Sequence, residues 1–292
     1  LQQAQAKHRR RYTMSSLQIL SLLTAATSVV ALAGTPNVYA NSRRGSCYGE
    51  ASSDDACCYL SPARLLQTQV WDTRPVSGPL DSWTIHGLWP IHNDGSIPHN
   101  CDTNRTYTNI TQILYHAGAE DIVEEMNKLW ESADGDNEGL WQDQWVAHGT
   151  CFSSLNRECY GRNYEEAEEA VPYFQKTVSL FKRLPTYEWL RDAGIIPSYS
   201  MLYQLSDIQE ALERQHGSRV SLRCAGQRLH EIGYHFNVTG TLQDGYFTDS
   251  GAIGHWNDCP DLILYEPKGE SKKAIFKFET FHPHTSTDVE DL

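Results

Sequence analysis

The apolar residues of this chain fall into short blocks with two different periods. Leu65 to Trp71 and Ser82 to His86 read as short buried strands. Thr111 to Trp130 carries apolar residues at three- and four-residue spacing, which predicts helix. Tyr164 to Phe181 does the same, with acidic residues in its first turns that suit the helix dipole. Leu140 to His148 reads as a further helix stopped by Gly149. Ser206-Asp207-Ile208-Gln209 has the form of a capping box, and Gly217 that of a C-terminal stop. Three late segments alternate and predict strands: Val220 to Arg223, His230 to Val238 and Leu262 to Tyr265. Asp94-Gly95 and Pro98-His99-Asn100 mark one loop, and Ser132 to Gly139 an acidic second one. Helices and strands mix without regular alternation, which makes the fold class α+β. The pattern predicts one domain over residues 41–267 without internal repeat, followed by a polar tail over 268–292.

Residues 1–40 have a different character. Arg9-Arg10-Arg11 precede an apolar run from Leu17 to Ala33, and small residues follow, which reads as upstream sequence plus a secretory signal. The competing reading is an uncleaved anchor, which Gln18, Ser21, Thr24 and Ser28 weaken. A processed chain is expected outside the cell, with a vacuole as the other destination, and without stable membrane association. Eight cysteines behind such a signal imply disulfides, and the absence of any C-x-x-C pair argues against structural zinc. Sequons begin at Asn104, Asn109 and Asn237 and predict glycosylation. The formal charge is −13. Without residues 1–40 it is −17, from 20 basic against 37 acidic residues. Broad phosphate neutralisation is therefore excluded as a way of holding nucleic acid, and any RNA chemistry needs a local basic site or an acidic medium.

Candidate chemistry concentrates in two histidine blocks. In Trp83-Thr84-Ile85-His86-Gly87-Leu88-Trp89-Pro90, His86 is expected at a strand end, with the chain turning at Gly87. Taken alone, such a histidine is more often packed in a core under its tryptophans. In the second block, Trp141-Gln142-Asp143-Gln144-Trp145-Val146-Ala147-His148-Gly149-Thr150-Cys151, helical geometry puts positions 143, 144, 147 and 148 within about 140° of arc. Side chains there can converge on one ligand. Alternatively, the segment is an amphipathic helix with Trp141 and Trp145 in the core. Two imidazoles suit RNA cleavage because one can take the proton of an attacking 2′-OH and the other can protonate the departing 5′ oxygen.

The two blocks together resemble those of the ribonuclease T(2) family, whose second block has the form W-x-H-E-W-x-K-H-G-T-C. Cys57-Cys58, Cys101-Asp102-Thr103-Asn104-Arg105, Asn163-Tyr164-Glu165-Glu166 and Tyr173-Phe174-Gln175-Lys176 also fall where fungal secreted members have similar runs. The resemblance implies a central, mostly antiparallel sheet flanked by several helices. It implies the bridges Cys47–Cys58, Cys57–Cys159, Cys101–Cys151 and Cys224–Cys259. It also implies endonucleolytic transphosphorylation of single-stranded RNA, not DNA, by a monomer needing no cofactor or metal. His86 and His148 carry over as the acid–base pair and Trp89 as a base-stacking platform.

Three neighbours depart from the family pattern. Asp143 stands at its phosphate-contacting histidine, Gln144 at its glutamate and Ala147 at its lysine. Ile91, Ile97 and Leu140 replace residues common on the base-binding side. These positions predict a degenerate substrate site, with Gln144 a weakened helper, and either much reduced turnover or a pseudoenzyme that binds RNA, nucleotide or protein. His92, His99 and His116 are candidates for compensation, each more often a solvent-facing residue. His282 and His284 alone are a poor metal site.

Overall fold

A computed structural model describes residues 55–269 except 59, 76, 255 and 256. The expected signal segment, Cys47 and all but the first residues of the polar tail lie outside the described residues.

Seven strands form one sheet: β1 Arg64–Val70, β2 Thr84–Pro90, β3 Leu202–Gln204, β4 Ser221–Ala225, β5 Arg228–Thr239, β6 Tyr246–Ser250 and β7 Leu262–Leu264. The order is β2-β1-β5-β7-β3, and the long β5 also pairs with β4 and β6. All pairings are antiparallel except β5 with β7. The helices are α1 Ile110–His116, α2 Glu120–Leu129, α3 Asn137–Ala147, α4 Val171–Phe181, α5 Thr186–Asp192 and α6 Leu205–His216. Apolar side chains of β1 and β2 (Leu65, Leu66, Ile85, Leu88) are fully buried, and α4 packs over both strands with Tyr173, Phe174 and Val178. This is the expected α+β class with a mostly antiparallel sheet.

Several boundaries differ from the sequence reading, each for a local reason. The segment 111–130 is two helices, because Gly118 takes φ +66° between them. The expected helix from Tyr164 begins only at Val171. Ala167 lies in the left-handed region at φ 68°, and Pro172 fits the first helical turn, where no N–H is needed. The acidic residues therefore precede α4 rather than lie on it. α6 starts one residue before the predicted capping box, and its N-cap, Gln204, makes no side-chain cap bond. Gly217 does terminate it, at φ 82°. Among the described residues three bridges are present: Cys57–Cys159, Cys101–Cys151 and Cys224–Cys259. Each closes a long loop and contributes roughly 2–4 kcal/mol. Asn104, Asn109 and Asn237 are all exposed.

Candidate active site

β2 does not end at His86. It runs on to Pro90, and the ladder with β1 steps from Thr68↔Gly87 to Gln69↔Ile85, leaving His86 as the extra residue of a bulge. A bulge frees backbone carbonyls that must find other partners. The Trp130 indole donates to the His86 carbonyl at 3.1 Å, and the Thr68 hydroxyl donates to that of Gly87 at 3.1 Å. The bulge thereby aims the His86 ring away from the ladder. Its side chain is about one-third exposed. Nδ1 lies 2.6 Å from a Glu231 carboxylate oxygen. Glu231 comes from β5, on the far side of β1, and is buried. Arg223, its cross-strand partner on β4, lies 3.7 Å from its other oxygen. A carboxylate on Nδ1 fixes the orientation of the ring and leaves Nε2 for chemistry.

The second histidine sits at the C-terminal end of α3. Asp136 caps the helix start by accepting from the Gly139 N–H at 2.9 Å. Two indoles seat the helix: Trp141 donates to the Trp130 carbonyl at 2.9 Å and Trp145 to that of Arg105 at 2.7 Å. Gly149 is needed here for close approach rather than as a stop, since a Cβ would collide with the Trp145 ring. The chain continues into a tight turn over Gly149–Cys151. Buried Arg105 braces that turn. Its guanidinium pairs with Asp102 and donates to the Leu155 and Thr150 carbonyls at 2.8 and 2.6 Å. It is thus committed to the scaffold.

His148 is only 6% exposed. Burial, then the like charges of His99 and His86, push its pKa down to about 3, against a backbone hydrogen bond to Pro98 that acts the other way. Nδ1 has no hydrogen-bond partner. The ring is neutral in mild acid.

Trp89 joins the two halves. Its ring centroid is 5.1 Å from that of His86, edge-on, and 4.9 Å from that of His148, tilted by 30°. Its Nε1–H donates to Gln144 Oε1 at 2.8 Å. Gly87 accommodates this bond, because a Cβ there would overlap both partner atoms. Two expectations need correction as a result. Trp89 is buried between the histidines, with no open face for a base to stack on. Gln144 is a buried anchor for Trp89 rather than a helper bonded to a histidine. Of the expected convergent arc, Asp143 is exposed and Ala147 half-buried, while Gln144 and His148 point inward.

Sequence reasoning missed Glu231, whose partner lies 145 residues away and whose strand carried no motif. It also ranked His99 beside His92 and His116. His99 lies against His148, with ring centroids 4.9 Å apart, whereas His92 is in an exposed turn and His116 on the exposed face of α1. Among the described residues, no group of three or more His, Cys, Asp or Glu side chains could hold a metal ion, and no helix is long and apolar enough to cross a membrane.

The profile of the Ribonuclease T2 family matches residues 46–245. The chain belongs to this family. It is 51% identical over 223 residues to Ribonuclease Trv of Hypocrea rufa, covering 76% of this chain and 95% of that one. Against Ribonuclease T2 of Aspergillus oryzae the identity is 44% over 239 residues, covering 80% and 86%. The chain spans only 59% of a longer Ribonuclease T2-like protein of Emericella nidulans, at 44% identity over 83% of this chain. In structure it is similar to Actibind, described as a T2 ribonuclease, with TM-score 0.70 and 40% identity over 76% of this chain and 93% of that one. His86, Asp143, Gln144, Ala147 and His148 all lie within the matched residues. α3 carries no basic residue in its last turn.

Proposed function

We propose that this chain is an endoribonuclease that cleaves single-stranded RNA by transphosphorylation, giving a 2′,3′-cyclic phosphate and a 5′-OH, with turnover reduced by its altered helix. The observation that carries this reading is the placement of His86 and His148 on two sides of one indole, Trp89. His148 stays neutral in mild acid, which suits it to take the 2′-OH proton. A pKa near 3 makes it a weak base. His86, oriented by Glu231, would protonate the departing 5′ oxygen through Nε2. The charge that builds on the phosphoryl oxygens lacks the family's lysine. One missing stabilising group of that kind costs roughly 10²–10³ in rate. Passage to the cell exterior, glycosylation and a monomeric state belong to the same proposal.

A second reading is favoured by the burial of His148: a family member that binds RNA, nucleotide or protein without turnover. Incubation of the protein with single-stranded RNA across pH 4–7, beside a His86→Ala/His148→Ala double variant, separates the two. Cyclic phosphate released by the parent alone supports the enzyme. Equal traces from both end that reading in favour of the second.

A further inference from the structure

The family's lysine and phosphate-contacting histidine are absent from α3, yet another imidazole lies at the same end of the helix. His99 is exposed, and its ring centroid is 4.9 Å from that of His148, at 57°. The segment carrying it is fastened to the helix end at successive points. The Pro98 backbone lies near enough to the His148 ring to favour its charged form. Asn100 takes φ 52°, a left-handed conformation that asparagine tolerates, and its N–H donates to the Ala147 carbonyl at 2.9 Å. Cys101 is bridged to Cys151, and its N–H donates to Thr150 Oγ1 at 3.2 Å. His99 is thus presented over the turn of α3 that ends in Ala147.

We propose that His99, as an imidazolium, is the phosphate-contacting cation of this site, supplying from the loop the positive charge that Asp143 and Ala147 do not supply from the helix. The proposal rests on the reading that the His86/His148 pocket receives an RNA phosphodiester. A phosphate in hydrogen-bond reach of the His148 ring has oxygens about 3 Å from it. A second ring centred 4.9 Å from the first can reach the same phosphate. Buried His148 takes a proton only at a desolvation cost. The ionisable group against His99 is His148; Asp143 is exposed on the preceding turn of α3, and His92 and Asp94 are exposed earlier in the His99 loop. Since imidazole is charged only in the acid range, the contact must be pH-dependent, unlike one made by lysine.

The test titrates the disulfide-bonded protein with adenosine 5′-monophosphate and, separately, with adenosine. At pH 5, His99→Ala should weaken the monophosphate about ten-fold and leave adenosine unchanged. The deficit should vanish by pH 8. His99→Lys should restore affinity and remove the pH dependence. On single-stranded RNA, kcat/KM at pH 5 should fall about ten-fold or more in His99→Ala and return in His99→Lys, with His116→Ala as a control equal to the parent. A His99→Ala protein that binds the monophosphate within two-fold of the parent at pH 5 overturns the proposal. So does equal weakening of both ligands, or a parent that does not distinguish monophosphate from adenosine. If the parent cleaves no faster than the His86→Ala/His148→Ala variant, the enzymatic reading fails, and the monophosphate titration still decides the role of His99.

Discussion

The two histidines are held in opposite ways. On the sheet side, His86 occupies a bulge whose released carbonyls are both satisfied, and its ring rests on a buried carboxylate. On the helix side, His148 is buried, one ring nitrogen has no partner, and its charged form is disfavoured. The sheet side draws its order from backbone geometry and long-range side-chain bonds. The helix side depends for its electrostatics on whatever side chains α3 displays, and those can change without disturbing the bonds of Trp141 and Trp145 that seat the helix. The seating of α3 is therefore independent of the side chains it displays at 143 and 147.

The largest test of that asymmetry is acid. His148 titrates at about 3 and His235, buried on β5 against Ser221, at about 4, in both cases chiefly because of burial. Both values lie below the unfolded histidine value of about 6.5. The fold then keeps these rings neutral while the unfolded chain takes up protons. Their contribution to stability is complete above pH 6.5 and declines as pH falls toward 4 and then 3. Each ring costs about 1.4 kcal/mol per pH unit in that window, so the pair lowers stability by on the order of 5 kcal/mol from pH 6.5 to 4.5. Denaturant unfolding at stepped pH measures the slope. His148→Asn and His235→Asn should each remove one ring's share, about 1.4 kcal/mol per pH unit, and an unchanged slope in both would mean that burial is not what sets these rings.

Next in size is restoration of the helix side. The triple variant Asp143→His/Gln144→Glu/Ala147→Lys should raise kcat on single-stranded RNA by about 10²–10³, the usual worth of one well-placed transition-state donor. The sheet side is untouched by these changes. A triple variant that folds, as judged by near-UV circular dichroism, but shows no gain would place the defect on the base-binding side, where Trp89 is covered.

The sequence revealed the parts whose signal is local. Apolar periodicity located β1 and most of β5, and the two histidine blocks located His86 and His148. It misplaced features decided by partners far along the chain. His86 was expected at a strand end because Gly87 reads as a turn; β1 instead holds the strand straight through a bulge, with Thr68 taking the spare carbonyl. Glu231 carries no motif, since its role comes from lying one strand beyond β1. Trp89 reads as an open platform, but its burial is set by the two rings and the amide around it. His99 reads like His92 in sequence, although the implied Cys101–Cys151 bridge already ties its loop to the end of α3; the ring contact with His148 separates the two.

The sheet side is broken more gently by Glu231→Gln. The amide keeps the size of the carboxylate and removes its charge, so the His86 Nδ1–H bond loses its charge assistance and its control of the tautomer without loss of packing. A fall in kcat of about ten- to a hundred-fold is expected, within the range for a positioned proton-transfer group, with KM little changed. Glu231→Asp should recover part of the loss. A matching rise in KM would instead point to a role in binding.

The smallest effect concerns the link between the halves. The Trp89–Gln144 hydrogen bond is the contact by which β2 grips α3 inside the site, and Tyr173 of α4 reinforces it, with its hydroxyl 3.2 Å from the Leu88 carbonyl and 3.3 Å from that of Gln144. A double-mutant cycle with Trp89→Phe and Gln144→Leu isolates the bond, because the double variant removes both polar partners and leaves no buried orphan. A coupling energy of about 1 kcal/mol is expected from denaturant unfolding, the usual net worth of a buried neutral hydrogen bond. Trp89→Phe alone should cost more than the double variant, because it strands the Gln144 oxygen in a buried place. If the single and double variants are equally stable and the coupling is near zero, the two halves are held together by packing alone. The substitution of glutamine for the family's glutamate would then have no structural role in joining them.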